Sequence, residues 1–165
     1  MKKMILAACI MLAPLSLMAQ KFGHFNSSEI VPLMPEYTTA QTELQTLGKQ
    51  YEDDMKRMQD EFQKKYEEYQ KEQANLLENV RQRREAELQD LSNRIQQSAQ
   101  DNQQAYQKAY NEKMQAISAK ITAAVKVIGD AGGYVYIMDT TAGIPYISTK
   151  LSTDISADLK KALGI

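Results

Sequence analysis

Tyr51–Tyr69 reads YEDDMKRMQDEFQKKYEEY, and the placing of its apolar side chains decides the fold. Tyr51, Met55 and Met58 recur eleven residues on as Phe62, Tyr66 and Tyr69. That spacing, close to 3.67 residues per turn, gathers them on one side of a helix. Between them stand Glu, Asp, Lys, Arg and Gln. So narrow a seam on a polar helix predicts a coiled-coil element, since a core helix carries a wider apolar face.

Outward from this stretch, the stripe continues through Leu76, Leu77 and Val80. It resumes as Leu88, Leu91 and Ile95, then Tyr106, Tyr110, Met114, Ile117, Ile121, Val125 and Ile128. From Pro35 to Ile128 the only glycine is Gly48, and no second proline occurs. The segment is either one rod or two arms folded back on each other. The only interruption lies at Asn79–Ala86, where Arg84 takes a position due for an apolar residue and Arg81 and Arg83 stand beside it.

The two ends favour the fold-back. Upstream, Lys21–Asn26 predicts a short strand, Asn26 with Glu29 starts a short helical piece, and Pro35 with Glu36 suits the first turn of the long helix. Downstream, the long helix is predicted to end at Gly129. Tyr134–Met138 and Ile144–Ser148 then predict the two strands of a β-hairpin, and Ser152–Asp154 leads into a helix over 155–163. A lone strand and a lone hairpin are not stable in water, and folding back brings all three into one sheet. The expected fold class is α+β: a long antiparallel helical hairpin over 35–128, with its tip in 79–86 near the midpoint 82, on a small β-rich body made of 20–34 and 129–165. A body of about sixty residues is marginal alone. This predicts an oligomer, with Phe22, Phe25, Val135, Ile137, Ile147 and Leu151 forming its core.

Composition narrows the function. Lys2 and Lys3 precede an apolar run from Met4 to Leu17, a pattern that predicts a secretory signal peptide over 1–19, cleaved after Ala19. The run contains Pro14 and is shorter than the roughly 20 residues of a membrane span. Cys9, the only cysteine, leaves with it. The remaining chain carries 18 basic against 21 acidic residues, a net charge of −3 that argues against a nucleic-acid partner. His24 is the only histidine and falls in a strand, where a structural role is expected. Gly129–Gly133 follows a helix, whereas a phosphate-cradling loop precedes one. Asp53–Asp54 and Glu67–Glu68 are sequence neighbours and diverge around the helix. No constellation of nucleophile, base and orienting group is visible, so the reading assigns no catalytic residue, cofactor or metal, and no enzyme.

The two arms differ in charge. Glu52–Lys56, Asp53–Arg57, Asp60–Lys64, Glu61–Lys65 and Glu67–Lys71 are acid-first pairs four residues apart, expected to support the outgoing arm. The return arm lacks such pairs. Glu36–Tyr69 carries nine acids and five bases, Ile95–Ile128 two acids and four bases, so antiparallel pairing brings opposite charge together. Met55, Met58, Phe62, Tyr66, Tyr69, Tyr106, Tyr110 and Met114 are candidates for the seam between arms and for contact with another polypeptide, since flexible Met and amphipathic Tyr suit weak, varied contacts. Arg81, Arg83 and Arg84 form a basic cluster near the expected tip, able to meet acidic segments or, transiently, an anionic membrane surface.

With the signal-like N-terminus, the Phe22–Asn26 strand, the Glu36–Tyr37 helix start, the Gln/Glu/Lys-rich arms, Gly133–Asp139 (GYVYIMD) and Ser152–Ser156 (STDIS), the sequence resembles the Skp/OmpH family of periplasmic chaperones. The resemblance implies a homotrimer whose β-rich body carries three helical-hairpin tentacles around a cavity. It also implies an ATP-independent holdase that keeps unfolded outer-membrane proteins from aggregating on their way to the outer membrane. The well-studied members are strongly basic and this chain is slightly acidic, so no lipopolysaccharide or anionic-lipid site is carried over. Without the resemblance, the residues alone leave open a coiled-coil spacer or adaptor of the cell envelope.

Overall fold

The computed structural model describes residues 20–165, so the expected signal peptide lies outside the described residues. In chain order the elements are β1 (Lys21–Phe25), α1 (Ser27–Ile30), a 3-10 turn (Val31–Leu33), α2 (Pro35–Glu72), a second 3-10 turn (Gln73–Asn75) and α3 (Glu78–Gly132). They are followed by β2 (Tyr134–Asp139), a third 3-10 turn (Thr140–Ala142), β3 (Ser152–Asp154) and α4 (Ser156–Leu163). The helices α2 and α3 form the antiparallel arm, and the remaining elements form the body.

Pro35 opens α2, where its missing N–H costs nothing, and Glu36 sits favourably in the positively charged first turn. At the other end the chain reverses over Gln73–Leu77: Leu76 and Leu77 are both extended, with ψ of 141° and 146°. The tip therefore falls before the expected 79–86, and Arg81, Arg83 and Arg84 lie on the first turns of α3. The midpoint estimate assumed arms of equal length. In fact α2 has 38 residues and α3 has 55. The cross-arm pairs Glu36–Lys120, Glu43–Lys113, Glu72–Arg84 and Lys65–Glu87 are all centred between residues 76 and 78. Beyond Lys120, α3 runs a further three turns past the start of α2 to reach the sheet. It also passes the expected stop at Gly129. The ending is set by Gly133, which adopts the left-handed conformation (φ 64°) and donates its N–H to the Gly129 carbonyl.

Gly48, the one glycine inside α2, faces Tyr106 of α3. A methyl group built on it would lie 3.6 Å from the tyrosine ring, an ordinary contact. Gly48→Ala is thus expected to raise stability by about 0.5–1 kcal/mol through helix propensity. Urea unfolding followed by circular dichroism measures it; a loss of stability would show that Tyr106 needs the bare backbone.

The sheet order is β2-β1-β3, with both outer strands parallel to β1. The expected β-hairpin of 134–138 with 144–148 does not form. Parallel strands on opposite sides of β1 need a connection that crosses a face of the sheet. Residues 144–151 serve as that crossover, enclosing a space of about 240 Å³ over Phe22, His24, Tyr136 and Met138. The opposite face carries Phe25 and Ile137 toward the hydrophobic core. There Ile155, Leu159 and Leu163, spaced four apart on one side of α4, join Ile30, Met34, Ala40, Ile117 and Ile121. Four of these side chains, Ile30, Met34, Ile155 and Leu159, are fully enclosed.

Candidate functional site: the arm seam, the tip and the body surface

The stripe of alternating three- and four-residue steps turns one side of each helix toward the other, but two helices cannot close over it. Tipward of Leu44 no side chain of α2 is buried, and on the facing length of α3 only Leu91 is. Met55, Met58, Phe62 and Tyr69 are half-buried, and Tyr66, Tyr106 and Tyr110 are exposed. Phe62 and Tyr66 stack with ring centres 6.0 Å apart. Met114 differs from the other seam candidates: it packs against the body core. The result is a long apolar line that stays accessible from the sides.

Ion pairs fasten this arm at its two ends. Near the body, Lys120 donates to Glu36 and Lys113 to Glu43; near the tip, Lys65 donates to Glu87, and Arg84 lies 3.6 Å from Glu72. The hydrogen bond from Lys120 holds the Glu36 carboxyl below its usual range, and that from Lys65 does the same for Glu87. From Glu43 to Lys65, about 33 Å of helix at 1.5 Å per residue, no ion pair joins the helices among the described residues. The acid-first pairs within α2 are replaced by other partners. Lys56 pairs with Asp60, Arg57 with Asp54, and Lys65 crosses to α3. Exposed pairs of this kind exchange partners at little cost.

At the tip the basic cluster is largely balanced. Arg81 bonds Glu78 and Arg84 faces Glu72, while Arg83 is exposed and has no ion pair among the described residues. The Tyr69 hydroxyl donates to Glu85, which pushes its ionisation above the usual phenol range. Leu77, 73% exposed, is the apolar residue at the tip that sequence reading left in the stripe.

The six residues assigned to the body and oligomer core divide. Phe25 is buried and Ile137 packs on the core. Phe22 packs against Tyr136 with the rings tilted and their centres 4.7 Å apart, and Ile147 of the crossover lines the space above it. Val135 and Leu151 stand outside, 59% and 71% exposed, with Tyr146 nearby in sequence at 80%. Within the single chain, therefore, Phe25 and Ile137 of the sheet join a core built by α1, α2, α3 and α4, while Val135, Tyr136 and Met138 of β2 stay on the surface.

A polar network at the end of β2 locks it to the start of α1. The Asp139 carboxylate accepts from the backbone N–H groups of Ser27 (3.1 Å) and Thr141 (3.0 Å) and from the Thr141 hydroxyl (2.8 Å). Asn26 caps Ser28, and Thr140 donates to the Phe25 carbonyl. The signal was available: Asn-Ser-Ser and Asp-Thr-Thr are both runs that bond local backbone. On β3, Asp154 accepts from the Ser156 N–H at 2.8 Å, and His24 bonds the Ser152 hydroxyl at 2.8 Å. Burial would raise Asp139, but its bonds from Ser27 and Thr141 outweigh burial and hold it low; bonding to Ser156 lowers Asp154.

Carboxyls whose folded ionisation lies below the unfolded value stabilise the fold above that value and lose their contribution as pH falls through the folded one. The body is therefore expected to weaken from about pH 4 downward. Asp139→Asn should cost stability at pH 7, and the gap to the unmodified protein should close toward pH 2. Urea unfolding at several pH values tests it; a gap constant with pH would show that the charge contributes nothing.

Among the described residues no polar or charged side chain is buried, and no helix is long and apolar enough to cross a membrane. A search of curated proteins finds no match. Among solved structures, an OmpH-like protein from Caulobacter crescentus CB15, described as a candidate outer membrane chaperone, superposes with a TM-score of 0.74 at 14% identity. The match covers 87% of this chain and 83% of that one. At that identity the likeness establishes the shared fold, a long helical arm on a small sheet. The family model described as "Outer membrane protein (OmpH-like)" matches residues 21–163, from the first residue of β1 to the last of α4. By that span the chain belongs to the OmpH-like family.

Proposed function

We propose that the protein is an ATP-independent holdase of the periplasm that binds unfolded outer-membrane proteins and keeps them from aggregating, acting as a homotrimer. The observation that carries this reading is the open seam: Met and aromatic side chains run the length of an arm that leaves them accessible, a surface suited to many weak contacts. Three such arms around one client make the whole tight while each contact stays labile. Family membership supports the chaperone role. The exposed Val135, Tyr146 and Leu151 on a body too small to be stable alone support self-association.

The test is the solution mass of residues 20–165, alone and with an unfolded β-barrel protein, together with light scattering as that client is diluted from denaturant. A trimer that suppresses scattering at one trimer per client is expected. A monomer, or undiminished scattering, would end the proposal. Capture of one fixed stoichiometric partner in place of a spread of outer-membrane proteins would favour a structural spacer.

A further inference from the structure

The back of the return arm differs from the rest of the arm surface. Gln96–Asn111 contains two charged residues, Asp101 and Lys108, where the equally long stretch Tyr51–Tyr66 of α2 contains nine. Leu91, Ile95, Ser98, Asn102 and Ala109 mark the side of α3 turned toward α2, all at least half-buried. At 3.6 residues per turn, Gln100, Gln103, Gln104 and Gln107 fall on the opposite side, and all four are exposed. They line one shallow depression of about 370 Å³. Tyr110, three residues beyond Gln107 on the same helix, is exposed beside it, whereas Tyr106 faces α2. Gln107 donates to Asn111 and keeps its own carbonyl, while the other three glutamines make no side-chain hydrogen bond among the described residues.

We propose that this charge-free glutamine face of α3 is a contact surface for unfolded polypeptide, recognised through its backbone peptide groups. Each glutamine offers both donor and acceptor on a flexible stem, the pair of roles that a peptide unit needs and that an ammonium or carboxylate cannot supply. Peptide groups are the one feature every unfolded chain shares. A face without charge accepts acidic and basic segments alike, whereas the charged back of α2 repels one sign or the other. A second folded copy fits poorly, because it would cover the amides with no apolar stripe to offset their desolvation. Tyr110 adds a ring face for passing aromatic side chains.

The proposal rests on the holdase reading, and the experiment separates the two. The chain has no tryptophan, so the fluorescence of a tryptophan-bearing unfolded β-barrel protein reports its binding directly. Affinity of residues 20–165 is expected to change less than about threefold between low and high salt, since screening acts on charge and spares neutral hydrogen bonds. The variant Gln100→Lys, Gln103→Glu, Gln104→Lys, Gln107→Glu keeps net charge and helix formers and is expected to weaken binding about tenfold. The control Gln45→Lys, Gln50→Glu, on exposed positions of α2, is expected to bind as the unmodified protein. Circular dichroism confirms that both variants keep their helices. Affinity that collapses with salt, or a quadruple variant that binds normally, overturns this surface alone. No binding by the unmodified chain overturns the holdase reading and the surface with it.

Discussion

Leu159→Ala is expected to lower the stability of the body by about 2–5 kcal/mol, the cost of removing a fully enclosed leucine and leaving its cavity. Leu159 has no exposed surface, and it stands between Ile155 and Leu163 on the face of α4 that meets the core. That core brings together β1 and α1, the base of the arm and the C-terminal helix. A loss of this size is comparable with the whole stability of a small domain. Urea unfolding of residues 20–165 should show the midpoint falling sharply, and an assembled protein should dissociate over the same range. A change below 1 kcal/mol would mean that α4 only decorates the body.

Gly23→Val is expected to cost about 1–3 kcal/mol by overpacking. A side-chain carbon at Gly23 would lie 3.0 Å from Ile137 Cγ1 and 3.1 Å from the Tyr134 ring, both on β2. Because β1 is the central strand, shifting it to relieve that crowding disturbs its pairing with β3 as well. Thermal unfolding measures the cost, and a second variant isolates its cause. In an Ile137→Ala, Tyr134→Ala background the same substitution should cost half as much or less, because both crowding side chains are gone. Equal costs in both backgrounds would show that contacts other than these two side chains set the cost.

The arm was legible because its signal is repeated many times: eleven-residue recurrence over Tyr51–Tyr69 survives any single misreading. The fold-back was legible from the ends, which need one another. The tip was not, because Gln73–Leu77 contains neither glycine nor proline, and the symmetric estimate ignored the three turns of α3 that reach the sheet. Ile144–Ser148 has the composition of a strand, yet parallel pairing on both sides of β1 requires that stretch for the crossing. Composition reports local preference, while topology decides who is available to pair. The site divides in the same way. The seam residues follow from periodicity, whereas Met114 joins the body because α3 enters the core at that level, and the pairing of Arg81 and Arg84 depends on where the chain turns.

The position of β1 at the centre of the sheet also governs the order of folding. This strand is made first, and both its neighbours lie more than a hundred residues downstream. Closing so long a loop by diffusion is slow, since the entropy of bringing distant segments together must be met before any contact rewards it. The helical arm removes that obstacle. Once the chain reverses at Gln73–Leu77, its helices can zip from the tip by local contacts, and each turn formed shortens the gap between the strands. The arm thus acts as the route by which the strands find each other, and the sheet is complete only once Ser152–Asp154 has joined β1.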